Sequence, residues 1–242
     1  MCVIAYKAPA GKFDDAMMAR LKWCFTHNHD GAGFMFKDPE NAGNVRIVKG
    51  LMTWAEWEEA FNHFGIAAMD EVVFHFRIGS HGFKNAANTH PFPITTSEDM
   101  LTELHVTAKV ALVHNGVLAV AGDTKERSDT QVFIRDYLAP LGITSFASPG
   151  VNMLDMVPGK FAMMTDEGVE MFGYGWEDTK DGWYYSNKSY ESSAPAKSYA
   201  TSNYWHGGDE DNGYSSWMKS EETKAEKAQA VAASAAKVMD GG

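Results

Sequence analysis

Cysteine is scarce in this 242-residue sequence: Cys2 and Cys24 are the only two. Two thiols argue against a disulfide-stapled scaffold and suit a reducing compartment, so a cytoplasmic location is expected. Basic charge is scarce as well. Only 21 Lys and Arg stand against 32 Asp and Glu, for a net charge of -11. Phosphate contacts need clustered cations, so no nucleic-acid partner is expected. No run approaches the roughly 20 apolar residues that a membrane helix needs, so no membrane role is expected. No basic segment followed by an apolar run opens the chain, and no secretory leader is expected. Internal repeats and a Gly-x-x-x-x-Gly-Lys-Ser/Thr phosphate loop are also missing.

What is present suits a globular protein with one sizeable core: 45% of residues are hydrophobic and 22% charged. Short apolar runs at residues 2–6, 33–37, 45–50 and 71–78 read as strands. Residues 12–27 carry Phe13, Met17, Leu21 and either Cys24 or Phe25 at helical spacing. Thr53 with Glu56, and Ser128 with Gln131, form capping-box pairs that open helices running to about residues 64 and 138. Residues 110–114 and 117–120 read as strands of a hairpin turning at Asn115-Gly116. A second hairpin is expected over residues 161–165 and 169–173, with one more strand at 183–186. Tight turns between strands favour antiparallel pairing. Near residue 192 the composition shifts to Ser, Tyr, Gly, Asn and Asp. A folded domain is therefore expected over residues 1–193 and a flexible tail over 194–242, with a helix-forming but mostly alanine stretch at 221–239.

Cys2 carries the most chemical promise. Once Met1 is removed, a thiol and a free α-amine share one carbon, so one residue supplies nucleophile and base. By itself Cys2 reads first as a small apolar residue of the first strand. Three further segments change its meaning. They are His75-Phe76-Arg77-Ile78-Gly79-Ser80-His81-Gly82, then Asn88-Thr89-His90-Pro91-Phe92 with the later His114-Asn115-Gly116, and Ser128-Asp129-Thr130-Gln131. With Cys2 and the turn Asp30-Gly31-Ala32-Gly33, this ordered set resembles the class II glutamine amidotransferases, members of the N-terminal-nucleophile hydrolase superfamily. The compact, stand-alone branch is the most similar. The resemblance covers Cys2 to Gln131.

The resemblance implies an α+β fold, a four-layer αββα sandwich of two antiparallel sheets. It implies that Cys2 cleaves the γ-amide of glutamine or a γ-glutamyl compound through a thioester, without a cofactor. Asn115 and the Gly116 N–H would form the oxyanion hole, with Gly116 accepting unusual backbone angles. Arg77 would bind the substrate α-carboxylate, which a guanidinium fork matches with two parallel hydrogen bonds. Asp129 would hold the α-ammonium, and Ser80 and His81 would line or support the pocket. His75 and His90 are expected to pack and hydrogen-bond rather than move protons. Val3, Ile78 and Gln131 depart from the synthase pattern, and the tail is too short for a synthase domain. A separate chain would then receive the ammonia, or the protein simply hydrolyses.

Two other classes compete. The His27-Asn28-His29-Asp30 cluster resembles a binuclear metal motif, but that motif needs Asp and His where Gly31 and Ala32 stand. No metal is therefore expected. A catalytically inactive relative, kept as a binding or assembly module for a partner chain, is the other alternative.

Overall fold

The first strand is apolar at nearly every position because it is covered on both faces. The computed structural model of the chain describes residues 1–80, 82–120 and 125–191; His81 and the expected tail at 194–242 lie outside them. In chain order the elements are β1 (Val3–Lys7), α1 (Asp15–His27), β2 (Ala32–Lys37), β3 (Val45–Leu51), α2 (Trp54–His63), β4 (Val72–Phe76), β5 (Phe92–Pro93), α3 (Glu98–Thr102), β6 (His105–Ala108), β7 (Ala111–Asn115), α4 (Asp129–Phe133), α5 (Met153–Met156), β8 (Lys160–Thr165), β9 (Gly168–Phe172), β10 (Glu177–Asp178) and β11 (Trp183–Tyr185). The strands form a seven-stranded sheet, β10-β11-β1-β4-β2-β3-β6, and a four-stranded sheet, β5-β7-β8-β9. All the pairings are antiparallel.

The two sheets meet across one apolar layer. Ile4, Tyr6, Met35, Ile47 and Val73 of the larger sheet pack with Ala111, Val113, Ala162 and Met164 of the smaller. The opposite face of the larger sheet is aromatic. Phe74 packs on Phe13 and Trp57, and Phe76 on Phe25, so α1 and α2 cover it. The far face of the smaller sheet buries Leu112, Phe161 and Met163 against Phe133, Ile134 and Leu154. Strands buried on both faces show continuous apolar runs rather than alternation, as β1 and β4 do.

Both capping boxes form. Thr53 and Glu56 open α2, and Ser128 and Gln131 open α4. The helix expected up to residue 138 is regular only to Phe133. It then widens into a π-helical turn, Ile134–Leu138, in which the Ala139 N–H reaches back to the Ile134 carbonyl. The expected hairpin at Asn115-Gly116 does not form, and residues 117–120 are not a strand. β7 already has β5 and β8 as its neighbours. The departing chain instead buries Leu118 in the outer core and gives its N–H to the Asp129 carboxylate at 2.8 Å. The two-residue β5 and the half-buried β6 escaped sequence reading, because both are too short for a periodic signal.

Ser128→Ala should lower stability by about 1 kcal/mol through loss of the α4 cap. The Ser128 hydroxyl accepts the Gln131 N–H at 3.2 Å. The midpoint of a urea melt measures this, and an unshifted midpoint would show that the cap is energetically silent.

Candidate active site

Val3 pairs with Phe76 at the end of the β1–β4 ladder. One residue further, Cys2 meets the segment that leaves β4. The Ile78 N–H points to Cys2 Sγ at 3.3 Å, and the thiol lies 3.4 Å from the Ile78 carbonyl. The Cys2 carbonyl accepts Asn187 Nδ2 at 2.7 Å, so the nucleophile candidate is also held from the end of β11.

Burial pushes the Cys2 thiol above its ordinary pKa. The Ile78 N–H, the Arg77 charge and the terminal ammonium pull it down, while Asp129 pushes it up. Cys2, Arg77 and Asp129 therefore share one electrostatic environment, although Arg77 and Asp129 are far apart in sequence. Burial also lowers Arg77, opposed by Cys2, Asp30 and Asp129.

Each charged group is aimed by backbone. Arg77 Nη1 donates to the Phe83 carbonyl at 3.2 Å. Gly79 allows the guanidinium to lie against the chain, since a Cβ there would stand 3.2 Å from Arg77 Nη2. Asp30 accepts the Gly79 N–H at 2.9 Å and pairs with Lys84 at 2.9 Å. Burial alone would raise the Asp30 carboxyl, but the Gly79 N–H and Lys84 hold it below its ordinary value. Asp129 opens α4, where a carboxylate suits the helix N-terminus, and accepts the Leu118 and Thr130 N–H groups at 2.8 Å each.

Asn88 ties these parts together. Its amide donates to the Phe83 carbonyl at 3.0 Å and the Glu126 carbonyl at 2.7 Å, and it accepts the Ser128 N–H at 3.1 Å. One side chain thus joins the loop that holds Arg77 to the cap of the helix that holds Asp129. Its place in the Asn88-Thr89-His90-Pro91-Phe92 motif was the only sequence signal for it. Gln131 is likewise structural: its amide donates to the Ala87 and Leu101 carbonyls, which also accept buried Lys49.

Asn115 ends β7, with its Nδ2 2.8 Å from Ser186 Oγ. Its Oδ1 is buried without a partner. Gly116 does not have the positive φ expected of it. Its glycine is required by crowding instead, because a Cβ would stand 2.7 Å from His114 Nε2 and 2.9 Å from the Gly159 Cα. Ser80 is exposed on the loop after β4, and His81 falls outside the described residues.

Three histidines lie buried beneath this group. His75 Nε2 contacts the His114 carbonyl at 3.0 Å, and its ring stacks on His90 at 4.1 Å. His114 Nδ1 meets Thr130 Oγ1 at 3.1 Å. Burial lowers His75 to about 3, His114 to about 4, and His90 well below its ordinary value. Burial favours the neutral form of all three. His75 both stacks and hydrogen-bonds, whereas His90 packs on His75 and Phe92 with neither ring nitrogen hydrogen-bonded.

Among the described residues no three His, Cys, Asp or Glu side chains gather as a metal site. No described helix is long and apolar enough to cross a membrane. An apolar cavity of about 690 Å³ is lined by Leu118, Phe133, Tyr137, Met153 and their neighbours; Cys2, Arg77, Asn115 and Asp129 do not line it. No protein-family model and no curated protein sequence matches this chain.

The electrostatics make a signed prediction. Alkylation of Cys2 by iodoacetamide should rise with pH around a midpoint above that of an ordinary thiol. Arg77→Gln should move that midpoint up and Asp129→Asn should move it down, read by mass spectrometry of the Cys2 peptide. Unmoved midpoints would show that neither charge acts on the thiol.

Proposed function

We propose that the chain is a class II glutamine amidotransferase-like amide hydrolase of the N-terminal-nucleophile superfamily, with the αββα sandwich of that fold. It would cleave the γ-amide of glutamine or a γ-glutamyl compound. The observation that carries this reading is that Cys2 lies against Ile78 at the end of the β1–β4 ladder, with the Arg77 and Asp129 charges both acting on its thiol. A thiol, a cation suited to an α-carboxylate and an anion suited to an α-ammonium are the three groups such a substrate needs.

Met1 is 83% exposed, which makes it accessible for removal. Cys2 would then carry a free α-amine with a reference pKa of about 7.7–8.0 beside a thiol of about 8.5. The amine takes the thiol proton, and the thiolate attacks the amide carbon, forming a C–S bond. The carbonyl electron pair moves to oxygen, where the Asn115 amide and the Gly116 N–H stabilise it. Collapse breaks the C–N bond, and the Cys2 ammonium protonates the leaving nitrogen. Water, deprotonated by the amine, attacks the thioester. The second tetrahedral intermediate expels the thiolate, leaving a γ-carboxylate. The ammonia or amine is released or passes to a separate synthase chain. The proposed site of action is the cytoplasm, with no nucleic-acid or membrane partner; two free thiols and the lack of a basic excess support this reading.

One observation favours a second reading, an inactive relative that docks a partner. Tyr137, Leu141 and Met156 stand exposed around the apolar cavity.

Intact mass and a glutaminase assay separate the two. The mature chain should lack Met1, release ammonia from glutamine, and be labelled at Cys2 by a glutamine-analogue electrophile. Cys2→Ala should abolish both activities. Asn115→Ala should lower kcat by about 10²–10³-fold with little change in KM. Retention of Met1, or labelling that survives Cys2→Ala, would sink the hydrolase reading.

A further inference from the structure

Ser186 follows β11 and is 1% exposed. It grips β1 twice. Its hydroxyl accepts the Ile4 N–H at 2.9 Å, and its own N–H donates to the Ile4 carbonyl at 3.0 Å. The same hydroxyl oxygen lies 2.8 Å from one end of the Asn115 amide. Ser186 therefore links the strand that carries Cys2 to the side chain proposed for the oxyanion site.

The two ends of an asparagine amide are nearly the same size, so hydrogen-bond counting decides their orientation. With the N–H2 toward Ser186, two donors and the hydroxyl's own hydrogen converge on one oxygen. The hydroxyl hydrogen then has no acceptor, and Asn115 Oδ1 is buried unpaired. With the carbonyl toward Ser186, the hydroxyl accepts from Ile4 and donates to Asn115, and every group at that contact is paired. One unmet group is left, an N–H2 donor in a buried position. A donor awaiting an acceptor is what an oxyanion site holds before substrate binds.

We propose that Ser186 is a positioning residue that holds the Asn115 carbonyl and thereby turns the Asn115 N–H2 toward the substrate oxygen. The catalytic part of this proposal rests on the hydrolase reading above. Ser186 touches no reacting atom; it acts through Asn115.

Neutron diffraction from deuterated full-length protein tests the orientation without any activity. The Ser186 deuterium should point at the Asn115 carbonyl, with both amide deuterons on the opposite side. Amide deuterons aimed at Ser186 would overturn the proposal. A double-mutant cycle tests the catalytic consequence. Ser186→Ala should lower kcat by about 10–100-fold with KM within about twofold, and Ser186→Thr should restore most of it. In an Asn115→Ala background, Ser186→Ala should cost less than about twofold more. Hydrolysis that persists with additive losses, or with kcat unchanged in Ser186→Ala, overturns the positioning role alone. A chain with no Cys2-dependent hydrolysis overturns the hydrolase reading, and the oxyanion role with it.

Discussion

The register of β1 against β4 is the constraint on which the site depends. Val3 opposite Phe76 places Cys2 beside Ile78, and through Ile78 beside Arg77. A slip of one residue would turn every side chain of β1 to the other face. The register is pinned along its length. Ser186 pairs both backbone groups of Ile4 near the site end. At the other end Tyr6 donates to Glu71 at 2.6 Å, and Lys7 Nζ donates to the Met69 and Asp70 carbonyls. Between these anchors, Ile4 and Tyr6 face the second sheet while Phe74 and Phe76 of β4 face the helices.

On that frame, charge is held in place by backbone dipoles. Arg77 leans on the Phe83 carbonyl, and Asp129 on two N–H groups. Such partners fix the direction in which each group points. Asn88 ties together the loop that holds Arg77 and the cap of the helix that holds Asp129. The histidines beneath are held neutral by burial. In the proposed chemistry the proton shuttle is accordingly the α-amine of Cys2, next to the thiol it serves.

Much of the fold was legible in the sequence, and the exceptions have physical causes. The runs that became β1–β4 and β7–β9 stand out because burial on one or both faces selects apolar residues. The capping boxes at Thr53 and Ser128 are local, since donor and acceptor lie three residues apart. The Asn115-Gly116 turn misled because its hairpin signal is local, whereas its outcome is not. β8 occupies the edge that a hairpin partner would need, and Asp129 captures Leu118. Gly116 was expected for its angles and is required for its lack of a side chain against His114 and Gly159.

By itself, the sequence determined which residue types are available: one thiol next to the first residue, one arginine at a strand end, one aspartate at a helix start and one asparagine before a glycine. It determined their local settings too, because strand periodicity and helix caps depend on neighbours. Only the tertiary structure decided that they meet. Cys2 reaches Ile78 across 76 residues, and Asn115 reaches Ser186 across 71. Ser186 left no mark that distinguishes it from any other small polar residue, and Asn88 was marked only by its place in a motif, not by what it joins. Their parts are made by hydrogen bonds between distant segments, and those bonds exist only once both sheets have formed.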